Sequence, residues 1–252
     1  MIGERIFGGA AGGEKEFRWR GGAVSRLEGL SDAVFALALT LLIVSLEVPR
    51  TFDDLRAAFE QLPVFAACFT ILALCWFHQF RFHRRYGIED VTTIVLDLAL
   101  LFVILLYVYP LKFLFRFLWL LASGRSELAT SGDHPMLRDT HDIQQLMVIY
   151  GLGYTAVFAL LAALYGRAWS LRIELELDSV ERVLTKSALH AHLASAAIGV
   201  LSVTIALSSP MLAGWAGMTY FLLGPMHWVH GVLTGRALAR YRGKIPGAPM
   251  PT

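Results

Sequence analysis

A few polar side chains interrupt otherwise apolar stretches of this sequence, and any chemistry should be sought there. Asp32, with Ser31 beside it, is followed at once by Ala-Val-Phe-Ala-Leu, and Asp97 is surrounded by Val95, Leu96, Leu98 and Leu100. Trp76 and His78 stand in the run WFHQF. A carboxylate in such surroundings is costly unless it is paired and turned toward a bundle interior. Arg26 and Glu28 lie just upstream of Asp32. Glu28 reads as a helix cap, and Arg26 can snorkel to a membrane surface. Arg26, Ser31, Asp32, His78 and Asp97 are therefore expected to form one polar network, with Trp76 beside it, fixing the helix around Asp32 against two neighbours. Trp76 and His78 read equally well as an interfacial anchor and a snorkelling group. A different chemistry is open to Asp32, Asp97 and His78, a proton relay of the kind that drives a coupled transporter.

Other constellations carry less. His190 and His192, and His227 and His230, invite a metal or haem reading. No cysteine or carboxylate cluster accompanies them, so neither a metal nor a cofactor is expected. Cys68 and Cys75 lie about 10 Å apart along one helix face, too far to bridge. No Gly-rich phosphate loop, nucleophile elbow or zinc-protease motif occurs, which argues against an enzyme.

The elements that must position these residues follow from composition. Of 252 residues, 56% are hydrophobic and 17% charged, and mean hydropathy is +0.56. Soluble domains average about 25% charged residues, so a water-facing surface cannot be built. The net charge of +2 leaves no footprint for nucleic acid. A membrane helix needs about 20 mostly apolar residues, and six stretches qualify: about 29–48, 64–80, 92–119, 143–165, 188–207 and 211–233. Pro110 should kink or break the third. The expectation is an all-α, polytopic membrane protein with six transmembrane helices. Residues 1–25 form a flexible cytoplasmic leader, 26–235 the membrane domain and 236–252 a cytoplasmic tail.

Orientation follows from basic residues. Of 22 Lys and Arg, only Arg50, Arg56, Lys112, Arg116, Arg125 and Arg138 fall on one side. The richer side holds both termini, which places them in the cytoplasm and the chain in a cell (plasma or inner) membrane. The stretch from Arg167 to Lys186 reads as a solvated connection.

The first apolar stretch has two differing faces. Leu37, Leu41 and Val44 fall within about 60° of one another on a helix, with Thr40 at the edge of that stripe. Ser31 and Asp32 project roughly opposite. The segment RLEGLSDAVFALALTLLIVSLEVP, from Arg26 to Pro49, resembles the first helix of the endosomal/lysosomal potassium-channel family (transmembrane protein 175), prokaryotic branch. The family signature is Arg, three residues, then Phe-Ser-Asp. Arg26, Ser31 and Asp32 match it, and Leu30 stands where Phe is usual. The resemblance continues more loosely through Trp76, His78 and a third helix ending near Pro110.

That resemblance implies a potassium-selective or potassium-preferring channel without a TVGYG filter, passing K+ and other monovalent cations. It implies a homotetramer whose pore lies on the four-fold axis, lined by the first helices. The aliphatic layers of gate and filter would fall on Leu37, Leu41 and Val44, with Thr40 as a nearby hydroxyl. Glu47 could concentrate cations at the outer mouth. The nearest filter look-alike, Tyr150-Gly151-Leu152-Gly153-Tyr154, lies inside a spanning run and reads as close helix packing.

Overall fold

Short polar residues start five of the eight α-helices among the described residues. In the computed structural model, which describes residues 17–44, 48–124 and 136–242, Ser25 Oγ accepts from the Glu28 N–H at 3.1 Å. The Glu28 carboxylate accepts from the Ser25 N–H at 2.8 Å. This reciprocal capping box opens α1 (Arg26–Val44). A second box, Thr51 with Asp54, opens the short α2 (Phe52–Glu60). Pro63 sits in the first turn of α3 (Leu62–Tyr86), and Gly87 ends it at φ 59°, a backbone conformation suited to glycine. Asp90 caps α4 (Val91–Ala122), Asp139 caps α5 (Thr140–Ser170) and Asp178 caps α6 (Ser179–Ser208). A 3-10 turn at Pro210–Leu212, α7 (Ala213–Met218), a second 3-10 turn at Thr219–Leu222 and α8 (Leu223–Arg242) complete the chain.

Among the described residues five helices, α1, α3, α4, α5 and α6, are long and apolar enough to cross a membrane. The sixth apolar stretch is not one helix. Pro225 has no N–H to give the carbonyl of Phe221, and its ring crowds that carbonyl. The ladder accordingly changes to 3-10 geometry at Thr219–Leu222 just before it. Pro110, by contrast, is accommodated inside α4, which stays continuous as a helix.

The elements pack in two groups. α1 lies against α3 and α4, and α4 continues to α5. The most extensive contact joins α5 to α6, which in turn packs on α7 and α8. Glycines make that contact close. A Cβ on Gly199 would collide with Thr155 Oγ1 and lie 2.9 Å from the Tyr154 ring, and a Cβ on Gly151 would collide with Val203. Gly153 lies against the Tyr107 ring, whose hydroxyl donates to the Tyr150 carbonyl at 2.7 Å. Gly199→Ala is expected to cost about 1–3 kcal/mol through overpacking, read as a lower thermal midpoint in detergent.

The connection expected to be solvated is partly buried. Glu181, 1% exposed, pairs with Arg20, and residues 17–22 of the expected flexible leader are bound against the bundle. Phe17 is buried against Tyr86, with ring centroids 5.4 Å apart. Residues 1–16 and the tail beyond 242 lie outside the described residues.

Asp90 ties α4 to α5. Its carboxylate accepts from Thr93 N–H at 3.0 Å and from Arg167 Nη2 at 2.6 Å. Burial on its own raises the Asp90 pKa, but the hydrogen bonds from Thr93 and Arg167 outweigh it and hold the carboxyl below its usual range. A depressed folded-state value means that the contribution is complete above the unfolded pKa and fades as pH falls through the folded one, below about pH 4. Asp90→Asn keeps the cap and removes the charge. It is expected to cost about 0.5–1 kcal/mol at neutral pH, since the pair is one-third exposed. The difference in melting temperature from the parent should begin to shrink below about pH 4 and close as pH falls further, through the depressed folded-state value.

Candidate functional site

α1 buries Ser31, Phe35, Ala38 and Leu42, spaced so that one narrow stripe meets α3 and α4. The opposite side carries Leu37, 50% exposed, and Val44, 70% exposed, with Thr40 between them. Thr40 Oγ1 donates to the Ala36 carbonyl at 2.8 Å, so its lone pairs face outward from the helix. Leu41 is placed differently from its stripe neighbours. It is half-buried and packs against the core. Glu47 lies outside the described residues.

The buried stripe begins with a polar cluster. Gln79 Nε2 donates to Asp97 Oδ1 at 2.5 Å and to Ser31 Oγ at 3.0 Å. Ser31 Oγ is 2.8 Å from the Leu27 carbonyl and 3.1 Å from Asp97 Oδ2. His83 Nε2 lies 3.4 Å from the same carboxylate oxygen. Asp97 is fully buried, and Ser31, Gln79 and His83 nearly so. Three helices, α1, α3 and α4, are thereby joined through one carboxylate. A cavity of about 80 Å³ beside the cluster is lined by Glu28, Ser31, Asp32, Trp76, Gln79 and His83, among others.

The structure brings only part of the sequence-read network together. Ser31 and Asp97 meet. Asp32 is exposed and forms a separate link, accepting from Trp76 Nε1 at 2.8 Å, and the indole stacks on Phe80 at 5.4 Å. Arg26 lies exposed at the start of α1, outside the cluster among the described residues. His78 is turned to another neighbour, with its ring 5.0 Å from that of His192 on α6. The three groups weighed as a proton relay are therefore not contiguous. Gln79 and His83 were missed. On a helix they fall three and seven residues after Trp76, on a shared face, but the sequence does not set whether that face or the one bearing His78 turns toward Asp97.

His227 and His230 each meet one serine. His227 Nε2 is 3.1 Å from Ser195 Oγ, and His230 Nε2 is 2.8 Å from Ser187 Oγ. His190 is exposed. Among the described residues no group of three or more His, Cys, Asp or Glu could hold a metal ion.

Long apolar helices joined by a buried carboxylate cluster define a multi-pass helical membrane protein. Comparison with known proteins takes the assignment further. The family model for the endosomal/lysosomal potassium channel TMEM175 matches residues 26–110. A potassium channel of Marivirga tractuosa is 36% identical over 249 residues, covering 94% of this chain and 98% of that one. The crystal structure of a variant of the potassium channel MtTMEM175, in complex with a nanobody–MBP fusion, matches at TM-score 0.78 and 37% identity, over 88% of this chain and 97% of that one. A lysosomal potassium-selective channel TMEM175 homologue from Chamaesiphon minutus matches at TM-score 0.51 and 17% identity, over 81% and 96% of the two chains, and shares the fold. The chain belongs to the TMEM175 potassium channel family, a family of channels and not of enzymes.

Proposed function

We propose that this protein is a potassium-preferring cation channel of a cell (plasma or inner) membrane, assembled as a homotetramer with α1 around the four-fold axis. The observation that carries this reading is the division of α1. One stripe is locked against α3 and α4, while the side bearing Leu37, Thr40 and Val44 is left exposed by the described residues. Four such faces around an axis would leave an aliphatic neck at Leu37 and Val44, with Leu41 supporting it from the flank. A narrow apolar neck excludes water and disfavours strongly hydrated ions. Potassium sheds its shell more readily than sodium, and four Thr40 hydroxyls would offer oxygens in replacement. The cluster of Ser31, Gln79, His83 and Asp97 has a positioning role, holding α1 in register while the opposite face meets the ion. Asp32 with Trp76, and Arg26 at the membrane surface, would steady its cytoplasmic end. The membrane domain of 26–235 follows from the apolar stretches, and cytoplasmic termini follow from the distribution of basic residues.

Purified protein in liposomes tests the reading. A potassium gradient alone should drive flux, and a sodium gradient of equal size should drive less. Flux that appears only when a proton gradient is imposed would instead support a proton-coupled transporter.

A further inference from the structure

The residues leading into α1 are held more firmly than a leader requires. Arg20 and Gly21 both donate their N–H groups to the Arg84 carbonyl at 3.1 Å, covering the C-terminal end of α3. Gly21 fits there because it lacks a side chain, since a Cβ would lie 2.7 Å from the His83 carbonyl oxygen. The Arg20 guanidinium reaches the other way, to Glu181 at the start of α6. Nη1 donates to Oε1 at 3.0 Å and Nη2 to Oε2 at 2.6 Å, a two-pronged pair whose side chains are 11% and 2% exposed. Arg20 Nε donates to the Leu175 carbonyl at 2.9 Å, and the Arg18 N–H donates to Glu181 Oε1 at 2.8 Å. Phe17 fills a buried position beneath the Arg85 guanidinium, 4.8 Å from the ring centroid.

This strap is coupled to α1 at short range. Arg84 Nη1 donates to the Gly22 carbonyl at 2.9 Å, while Arg84 Nε lies 3.8 Å from Glu28 in the first turn of α1. Few residues separate Gly22 from the cap at Ser25, so the strap cannot leave its groove without freeing the cytoplasmic end of α1. We propose that the Phe17–Gly22 strap is a built-in restraint on the pore helix: docked between α3 and α6 it holds α1 in its resting position, and its release favours opening. The proposal rests on α1 lining the pore. An aliphatic neck opens only if α1 moves, and every bond that ties its end to the surrounding helices raises the free energy of the moved state.

Arg20→Gln removes the charge pair and leaves the Asp178–Glu181 cap of α6 intact, while Gly21→Ala displaces the strap sterically without touching its charges. In planar-bilayer recordings of the full chain, each variant should raise open probability by about tenfold, within the usual range of coupling between sites. Unit conductance and the K+/Na+ permeability ratio should stay unchanged. Tryptic cleavage after Arg18, followed by intact mass, should be faster in both variants than in the parent. Unchanged or lowered open probability in both variants, at any cleavage rate, overturns the restraint while leaving the pore reading intact. Current absent from the parent and both variants overturns the pore reading and the restraint together. Current absent from the parent but present in the variants supports both.

Discussion

Replacing Leu37 with Asn is expected to raise potassium flux through the reconstituted protein by about tenfold and to erase most of the preference over sodium. Tenfold corresponds to about 1.4 kcal/mol off the barrier, a modest demand on a change that turns each apolar side chain of a ring into an amide. In the proposed neck the amide would admit water and supply oxygens to either ion, so partial dehydration would no longer discriminate. Folding should suffer little, because Leu37 is half exposed and lies on the side of α1 away from the core. Leu41 provides the contrast. It packs against the core, so Leu41→Asn should alter flux and also lower the melting temperature. Parallel measurement of flux and melting separates the two residues, and an unchanged conductance in Leu37→Asn would move the pore to another helix.

The second large effect is on stability. Asp97→Ala should cost about 1–3 kcal/mol, the usual penalty for leaving buried polar groups short of a hydrogen-bond partner. The loss leaves Gln79 Nε2 with Ser31 Oγ as its remaining partner and takes the carboxyl away from buried His83, while Ser31 keeps the Leu27 carbonyl. A lower thermal midpoint and a loss of assembled protein on size exclusion are the expected readouts. Asp32→Asn should be far milder, because Asp32 is exposed and its side chain holds one partner, Trp76. Equal melting of the parent and Asp97→Ala would contradict the positioning role given to the cluster.

The spanning helices were legible because hydropathy over 20 residues is a strong signal that neighbouring elements scarcely modify. The family was legible from Arg26, Ser31 and Asp32 in a fixed spacing ahead of an aliphatic run. The meeting of Ser31 and Asp97 could be anticipated, since each is polar in apolar surroundings and each needs a partner. The identity of the third partner could not. His78 and Gln79 are adjacent in sequence but point about 100° apart on a helix, and only the rotation of α3 against α4 decides which reaches Asp97. The strap was illegible for a related reason. Gly-rich, charged sequence describes local preference, whereas Phe17 and Arg20 are fixed by Tyr86 and Glu181, far along the chain. In the sixth stretch, the hydropathy window averaged over Gly224 and Pro225, and the backbone does not.

The assembled protein in a lipid nanodisc, imaged at side-chain resolution, tests the central claim most directly. Four copies should surround one axis, with Leu37 and Val44 of each α1 turned inward and Ser31, Gln79 and Asp97 turned away. Finding α1 at the periphery with Leu37 against acyl chains, or an assembly without a shared axis at this helix, would contradict the account.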